Sequence, residues 1–350
     1  MILWPARLEP IFSARPWGAL SLAPFFPEKT NLPERIGEAW MTGDDCRFAS
    51  GAFAGAKVGD AWPAMPPEWT GVRVNRNERF PLLVKFIFAD DKLSVQVHPD
   101  DEYASRHEAA AGGRGKTEMW YVVDARPGAE ALVGLKPEVT AESFRHAIAE
   151  GSAETCLEHV ALVAGDAVFV PSGTAHTICG GLVLCEIQQH SDITYRVHDY
   201  NRRDAQGRAR DLHIENALDV MRFGKQQGGK VVPLRTERGT VTETYFASCR
   251  YFSTEKWEFT EPADGITSRE HFELLIFLEG EGEIRWNGER IAFGPAQVWM
   301  IPAALGAYQL SPEKRTSLLR TYVPNGPEEF SRRMAERNIA KEAWSKLVHP

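Results

Sequence analysis

SVQVH at residues 94–98 alternates polar and apolar side chains, and this alternation decides the fold of the surrounding chain. Successive side chains of a β-strand point to opposite faces. Ser94, Gln96 and His98 are therefore predicted on one face, with the two valines on the other. Gln96 and His98 are possible metal ligands, so one strand is expected to carry two ligands side by side.

A second stretch, GDAVFVPSGTAH, begins at Gly165 and ends at His176. Its apolar run is typical of a strand, and Pro171 and Gly173 mark a turn just before the histidine. The spacing of these residues resembles the second sequence motif of the cupin family. We expect the turn to bring its histidine next to the ligand-bearing strand.

Four side chains form a candidate metal site: Gln96, His98, Glu118 and His176. Two imidazoles, a carboxylate and an amide oxygen suit a borderline or hard divalent ion, and zinc is expected where open positions take water or substrate. Iron(II) and manganese also match these donors. A single histidine is usually structural, so the prediction rests on the i, i+2 pair and on the histidine of the turn. The remaining histidines lack such a context.

Size and charge restrict the class of function. The 350 residues are enough for one large or two ordinary domains, and the net charge of -8 argues against nucleic acid or an anionic membrane as partner. The first residues lack the pattern of a signal peptide, and no apolar run is long enough to span a membrane. The five cysteines form no CxxC pair, which argues against disulfides and a thiolate zinc site. A soluble cytoplasmic protein is predicted.

The order of strand and helix signals predicts two β domains. Short β-rich runs between Pro81 and Gln189 are typical of a jelly roll. A helical pattern at 211–223, followed by the glycine-rich GKQQGGK, marks a boundary. Further strand signals predict a second barrel, and the segment from Pro327 predicts an amphipathic helix for packing or dimer formation.

The predicted fold class is mainly β, with two cupin-type jelly-roll barrels, a helical link and a C-terminal helix. The predicted domains are an N-terminal catalytic barrel with the metal site, the link, and a degenerate C-terminal barrel with the terminal helix: 1–205, 206–230 and 231–350.

Cationic side chains surround the predicted metal strands, although the chain as a whole is acidic. Lys85 lies on the preceding strand, Lys116 lies two residues before Glu118, and Arg196 follows the strand LVLCEIQQ. A phosphorylated substrate would account for them, because arginine offers a fork to phosphate oxygens and lysine a point charge. The alternative is that the two lysines only pair with nearby carboxylates.

Longer segments resemble the type I mannose-6-phosphate isomerases, particularly their shorter bacterial form. The matching segments are WG at 17–18, IGEAW from Ile36, PLLVKFIFADDKLSVQVHPDD from Pro81, GKTEMWYV from Gly115, VPSGTAHTI from Val170, EIQQHSDITYRVHDYNR from Glu186, and DLHIENALD from Asp211. The resemblance implies that the four candidate ligands hold the metal and that Arg196 lies in the active site. It also implies that the following residues line that site: Ser94, Lys85, Lys116, Glu186 and Asp192.

The resemblance implies an aldose-ketose isomerase that interconverts mannose 6-phosphate and fructose 6-phosphate through an enediolate. A divalent ion and Arg196 would stabilise the developing negative charge. Glu186, Asp192, a metal-bound water or a lysine of lowered pKa could carry the proton, and spacing does not choose among them. The catalytic residues are predicted to be Arg196, Lys116, Glu186 and Asp192, with Ser94 and Lys85 binding the substrate.

Two other functions fit part of the pattern. An iron(II) cupin oxygenase could use His98, His176 and Glu118 as a facial triad, although Gln96 and the nearby cations disfavour it. A non-catalytic sugar-binding protein with two cupin domains is the other. The preferred sugar and the choice between monomer and homodimer are left open by the sequence.

Overall fold

The computed structural model of the chain describes residues 3–72, 74–203, 207–224 and 228–349. The strands β1 to β24 are, in chain order, Ala6–Glu9, Ile11–Ala19, Ile36–Trp40, Arg47–Phe48, Leu82–Ala89, Val95–Val97, Glu118–Ala125, Glu130–Leu135, Leu157–Ala161, Ala167–Val170, His176–Ile178, Leu182–Gln189, Tyr195–His198, Gly229–Lys230, Leu234–Arg238, Val241–Ser248, Ser253–Phe259, Ala263–Ile266, Glu273–Glu279, Gly282–Trp286, Glu289–Phe293, Val298–Ile301, Ala307–Pro312 and Thr316–Tyr322. The mainly β class is therefore confirmed.

Helices are short and lie between or after the strands. The α-helices α1 to α7 are Val58–Ala61, Pro67–Thr70, Asp101–His107, Ala141–Ala149, Ile214–Val220, Pro327–Glu336 and Lys341–Trp344. Short 3-10 helices lie at Trp62–Ala64, Ala109–Ala111, Ala153–Cys156 and Ser345–Leu347. Across the described ranges, no helix has both the length and the apolar character needed to cross a membrane.

The strands form two pairs of sheets, each enclosing an apolar core. In the N-terminal half, the seven-stranded sheet β14-β10-β7-β12-β5-β3-β2 faces the five-stranded sheet β13-β6-β11-β8-β9, and Trp120 and Val133 lie between them. In the C-terminal half, the eight-stranded sheet β15-β16-β17-β24-β19-β22-β1-β4 faces the four-stranded sheet β18-β23-β20-β21, with Trp257 and Leu310 between them. The description of each half as a barrel stays an interpretation of these facing sheets.

The two large sheets share one strand order. The series β10-β7-β12-β5-β3-β2 in the first sheet corresponds to β22-β19-β24-β17-β16-β15 in the second. Their outer faces pack together in a common core that includes Phe86 and Ile187 from the first sheet and Ile276 and Leu319 from the second. The chain therefore repeats one topology, and the repeats are joined by apolar burial.

Three strands cross between the halves. β1 pairs with β22, and β4 pairs with β1, so the start of the chain extends the C-terminal sheet. β14 pairs with β10 in the N-terminal sheet. The domain division at 205 and 231 stays a prediction, and part of the predicted joint, residues 225–227, lies outside the described residues.

The C-terminal segment differs from the single helix that its amphipathic pattern predicts. It forms two helices, α6 and α7, separated at Asn338, whose φ of 56° lies in the left-handed region. Phe330 and Met334 of α6 pack on Tyr245 of β16 together with Trp344 of α7. The segment therefore packs against its own chain, and a role in dimer formation stays a prediction.

Arg320 on β24 forms the centre of a buried ion network in the C-terminal half. It donates to both carboxylate oxygens of Glu273 and, over 2.8 Å, to Glu255. Arg320→Met would leave these buried carboxylates without one of their cations, so we expect the free energy of unfolding to fall by about 3 kcal/mol or more. Urea denaturation of both proteins measures this.

Arg315→Met is the matched control for this change. Arg315 forms a surface pair with Glu258 at 2.8 Å and is largely exposed. Exposed pairs are typically worth about 0–1 kcal/mol. An equal loss in the two variants would contradict the role given to the buried network.

Candidate metal centre

Strand pairing brings the predicted ligands together. His176 on β11 lies opposite Gln96 on β6, and Arg196 on β13 lies opposite Gln96 on the other side. Val95 and Val97 point the other way, into a core shared with α4 and α5. The predicted alternation of faces is confirmed.

Both histidines are held by backbone carbonyls. His98 Nδ1 lies 2.8 Å from the carbonyl oxygen of Ile193, and His176 Nδ1 lies 2.9 Å from that of Thr174. With Nδ1 as the donor, each Nε2 carries the lone pair. Burial, reinforced by the nearby Lys116 ammonium, keeps the pKa of His98 well below its usual range, and burial lowers that of His176 to about 4. Both rings are therefore neutral and able to act as metal ligands at neutral pH.

Glu118, the first residue of β7, lies between the two rings. Its Oε1 is 3.4 Å from His176 Nε2, and its Oε2 is 3.7 Å from His98 Nε2. The ligand atoms of these three residues all lie within 4.8 Å of one another, and all three residues are buried. The Lys116 ammonium lies 2.8 Å from Glu118 Oε2. A buried carboxylate between two neutral imidazoles is a donor set that fits a divalent cation.

Gln96 is the fourth predicted ligand and lies next to His176. Its Nε2 lies 3.3 Å from His176 Nε2, while its Oε1 accepts a hydrogen bond from Ser94 Oγ at 3.3 Å. A half-turn of the amide exchanges these two atoms and would present the oxygen to the cluster. All four predicted ligands therefore converge.

Lys116 reaches into the same cluster. Its Nζ lies 2.8 Å from Glu118 Oε2, 3.3 Å from His98 Nε2 and 3.7 Å from Glu186 Oε1. Burial lowers the pKa of this ammonium, but the carboxylates of Glu118 and Glu186 outweigh burial, and the net shift is upward. The pKa of Lys85 is likewise raised, since Asp192 and Glu38 outweigh burial. Both lysines therefore hold their proton more firmly than a free lysine, which disfavours a lysine of lowered pKa as the base.

Glu186 is the buried carboxylic acid of the site. It lies opposite Lys85 on β5 and opposite Trp120 on β7. Burial is the main cause that raises its pKa to about 7; Lys116 opposes the shift and Glu118 adds to it. Asp192, bound to Lys85 Nζ at 2.8 Å, has a lowered pKa because the two lysines outweigh burial. These two carboxyl groups therefore titrate in different pH ranges.

A cavity of about 300 Å³ opens beside the cluster. Its lining includes every predicted catalytic and substrate-binding residue. Arg196 Nε donates to Ser94 Oγ at 3.1 Å and its Nη1 donates to the Asp211 carbonyl at 3.2 Å. Both acceptors are neutral, so the positive charge of Arg196 is left for a ligand.

Three further charged residues line the cavity and were missed by the sequence analysis. Arg15 pairs with Glu38 at 2.7 Å, and Arg210 binds the carboxylate of Asp199. Arg15 lies two residues before the matched Trp17-Gly18 pair, which was the available signal. Glu38 lies within the matched segment IGEAW, which was the available signal for it, whereas Arg210 comes from a loop just before the matched segment that begins at Asp211.

Facing sheets around a buried His-Glu-His cluster define the metal-binding cupin class of β protein. One family model, described as "Mannose-6-phosphate isomerase, cupin domain", matches residues 242–323. Another, "Phosphomannose isomerase type I, catalytic domain", matches residues 6–121 and so includes three of the four predicted ligands.

Relatives match over nearly their whole length. The mannose-6-phosphate isomerase ManA of Bacillus subtilis is 34% identical over 319 residues, which are 87% of this chain and 95% of that protein. The probable mannose-6-phosphate isomerase GmuF of the same organism is 36% identical, over 87% of this chain and 96% of that protein. The chain belongs to the mannose-6-phosphate isomerase family.

Solved structures agree with the fold. The crystal structure of the mannose 6-phosphate isomerase from Bacillus subtilis has a TM-score of 0.82 and 29% identity, covering 91% of this chain and 99% of that chain. A zinc-bound mannose 6-phosphate isomerase has a TM-score of 0.71 and 17% identity, with the same coverage of 91% and 99%. The second likeness concerns the fold alone.

Proposed function

We propose that this protein interconverts mannose 6-phosphate and fructose 6-phosphate in the 300 Å³ cavity, beside a divalent metal ion held by the cluster of predicted ligands. The observation that carries the proposal is the convergence of His98, Glu118 and His176 within 4.8 Å, beside Arg196, which among the described residues donates only to neutral oxygens. Family membership supports the reaction class. A coupled assay for fructose 6-phosphate, with metal removed and restored, tests it directly.

The metal would be held by Gln96, His98, Glu118 and His176, and zinc best suits this mixture of nitrogen and oxygen donors. When bound, it supplies a Lewis acid that withdraws charge from the reacting sugar oxygens. Neutral histidines whose Nδ1 atoms are fixed by carbonyls favour tight binding, because they need not lose a proton first.

A phosphorylated substrate fits the charge of the cavity. Its lining carries five cationic side chains and three carboxylates, an excess of two. The cations are Arg15, Lys85, Lys116, Arg196 and Arg210, and the carboxylates are Glu38, Glu186 and Asp192. This excess suits a sugar phosphate dianion, whereas neither a cation nor an apolar compound would need it.

Glu186 is our candidate for the base that moves the proton between C2 and C1. It is buried against the cavity, 3.7 Å from Lys116 Nζ, and its pKa near 7 matches the requirement for a base at neutral pH. Arg196, which Ser94 and the Asp211 carbonyl hold in place, would stabilise the negative charge of the enediolate. Lys116 stays protonated and supports the same charge.

This assignment predicts the pH dependence of catalysis. Only the carboxylate form of Glu186 accepts a proton, so kcat/KM should rise about tenfold per pH unit below pH 7 and level off above it. Glu186→Gln should lower kcat by about 100-fold or more and remove this dependence. Initial rates between pH 5.5 and 9 measure both effects.

Asp192→Asn is the matched control, because Asp192 lines the same cavity and its pKa is lowered rather than raised. It should retain the pH profile of the wild type. Loss of the profile in Asp192→Asn, with its survival in Glu186→Gln, would assign the base to Asp192 instead.

Lys85 is proposed to bind the anionic substrate. Its ammonium lies 4.2 Å from the centre of the Trp40 ring and 2.8 Å from Asp192, and it faces the cavity. Lys85→Met should raise KM for mannose 6-phosphate about tenfold, as expected for a charged hydrogen bond, with a smaller change in kcat.

Steady-state kinetics check this prediction, with Lys57→Met as control. Lys57 forms an exposed pair with Asp45 and lies outside the cavity lining. A KM within twofold of the wild type in both variants would remove Lys85 from the binding site.

A further inference from the structure

A second, larger cavity lies in the C-terminal half, between the facing sheets and helix α6. Its volume is about 570 Å³. Polar and aromatic side chains from both sheets line it, and α6 adds Glu329 and Arg333. A cavity of this size can hold a monosaccharide.

The cavity takes the place that the first cavity has in the N-terminal half. Glu186 pairs with Lys85 across β12 and β5, and Arg320 pairs with Glu255 across the corresponding strands β24 and β17. Glu38 on β3 corresponds in the same way to Glu243 on β16. Glu38 lies two residues before Trp40, which faces Lys85, and Glu243 lies two residues before Tyr245, which faces Glu255. The registers of the repeats therefore coincide at the two cavities.

The correspondence extends to the metal centre. Glu118 and Glu273 are the first residues of the equivalent strands β7 and β19. His176 on β11 lies next to Glu118. At the equivalent place, on β23 of the four-stranded sheet, Tyr308 donates a hydrogen bond to Glu273 at 3.2 Å. Gly265 lies opposite Tyr308, in the position that Gln96 takes opposite His176 in the first half. Of the donors to the metal, only the glutamate is kept.

The guanidinium of Arg320 takes the position that corresponds to the proposed metal ion. Arg320 binds both oxygens of Glu273 and one of Glu255, and it lies over the rings of Trp257 and Tyr322. The second cavity thus has a positive charge built into its own chain at the place where the first half gathers metal ligands. No metal is needed to neutralise its glutamates.

Two polar groups on the lining have hydrogen-bonding capacity left. His271 is 2% exposed; its Nε2 binds Glu329 at 2.8 Å, and its Nδ1 has no partner among the described residues. Arg238 binds Glu243 through Nε, while its buried Nη2 is also without a partner there. Both atoms are buried, and a ligand in the cavity that reorients either side chain would supply the missing hydrogen bond.

The charge of the lining indicates the class of ligand. Three arginines, Arg238, Arg320 and Arg333, are balanced by three carboxylates, Glu243, Asp264 and Glu329. The excess of two positive charges in the first cavity is absent here. Aromatic faces with paired, planar polar groups suit an uncharged polyhydroxylated ring, whereas a phosphate would meet no net positive charge.

We propose that the C-terminal cavity is a second, non-catalytic binding site for an uncharged monosaccharide. This proposed site is distinct from the isomerase site, because the lining of its cavity contains neither the candidate metal ligands nor Arg196. Its occupant would contact His271, Arg238 and the ring of Trp257.

The test is isothermal titration of the metal-loaded full chain with D-mannose, D-fructose and inorganic phosphate. Ala307→Trp places a large ring at an exposed alanine of the lining without removing a side-chain hydrogen bond. It should weaken sugar binding at least tenfold and leave kcat/KM for mannose 6-phosphate unchanged. His271→Gln, which can keep the contact with Glu329 but loses the free ring nitrogen, should also weaken it.

Ala292→Trp is the matched control, since Ala292 is an exposed alanine in the same four-stranded sheet but outside the lining. It should bind sugar as the wild type does. Absence of sugar binding by the wild type, or equal binding by Ala307→Trp, would overturn the proposal. Phosphate binding that Ala307→Trp removes would overturn the assignment to an uncharged ligand. The isomerase assay is read separately, so the two proposals fail independently.

Discussion

Replacing His176 with alanine is expected to lower kcat/KM at least about 1,000-fold and to abolish stoichiometric binding of the divalent ion. His176 supplies one of two neutral imidazoles in the cluster, and its Nε2 lies 3.4 Å from Glu118. A remaining set of one histidine, one glutamate and one glutamine is a weak site for a borderline metal. Loss of the metal removes the main source of charge stabilisation, for which effects of about 100- to 1,000-fold per group are typical.

The measurement combines metal analysis with the coupled assay. His190→Ala is the matched control, because His190 is also buried and also bound to a carbonyl, that of Phe80 at 2.6 Å, yet lies outside the cluster. It should keep the metal. Wild-type activity that survives thorough chelation, or full activity in His176→Ala, would disprove a metal-dependent reaction.

Arg196→Lys is expected to lower kcat by about 100- to 1,000-fold while the metal stays bound. The guanidinium is held by Ser94 Oγ and the Asp211 carbonyl at 3.1 and 3.2 Å, so its remaining N–H groups have a fixed direction. A lysine keeps the charge but cannot reproduce this fork. Since the proposed role is to stabilise charge that develops during the reaction, kcat should fall much more than substrate affinity.

Arg210→Lys provides the comparison for this variant. Arg210 lines the same cavity, but it is bound to the Asp199 carboxylate, which also pairs with Arg202. Its substitution should change kcat by less than about tenfold. If Arg196→Lys retained kcat within threefold, the enediolate would have to be stabilised by the metal and Lys116 alone.

The sequence predicted those features that depend on local pattern. Alternation placed Gln96 in β6 and His98 just after it on one face, and the turn before His176 positioned another predicted ligand, because side-chain direction in a strand follows from position alone. Which strands pair is a long-range property. Local pattern therefore did not place Arg210 at the cavity, nor Glu38, although Glu38 lies within the matched segment IGEAW.

The pKa values of site residues also depend on partners that are distant in the sequence. A lysine base is disfavoured because Lys116 lies among carboxylates from two strands, β7 and β12, which raise the pKa of its ammonium. The terminal helix divided at Asn338 because the chain turns there to bring Trp344 onto the same core. Neither arrangement can be derived from neighbouring residues.

The pairing of β1 with β22 has a consequence for synthesis of the chain. Ala6 faces Met300, so β1, which also pairs with the early strand β4, meets its second partner only after nearly the whole polypeptide has been made. At roughly 5 to 20 residues per second, β1 would wait on the order of 15 to 60 s beside the ribosome. During this interval it is an open strand edge, and other chains could pair with it. A nascent fragment that ends before Val298 therefore offers chaperones a binding segment, whereas the finished molecule covers it.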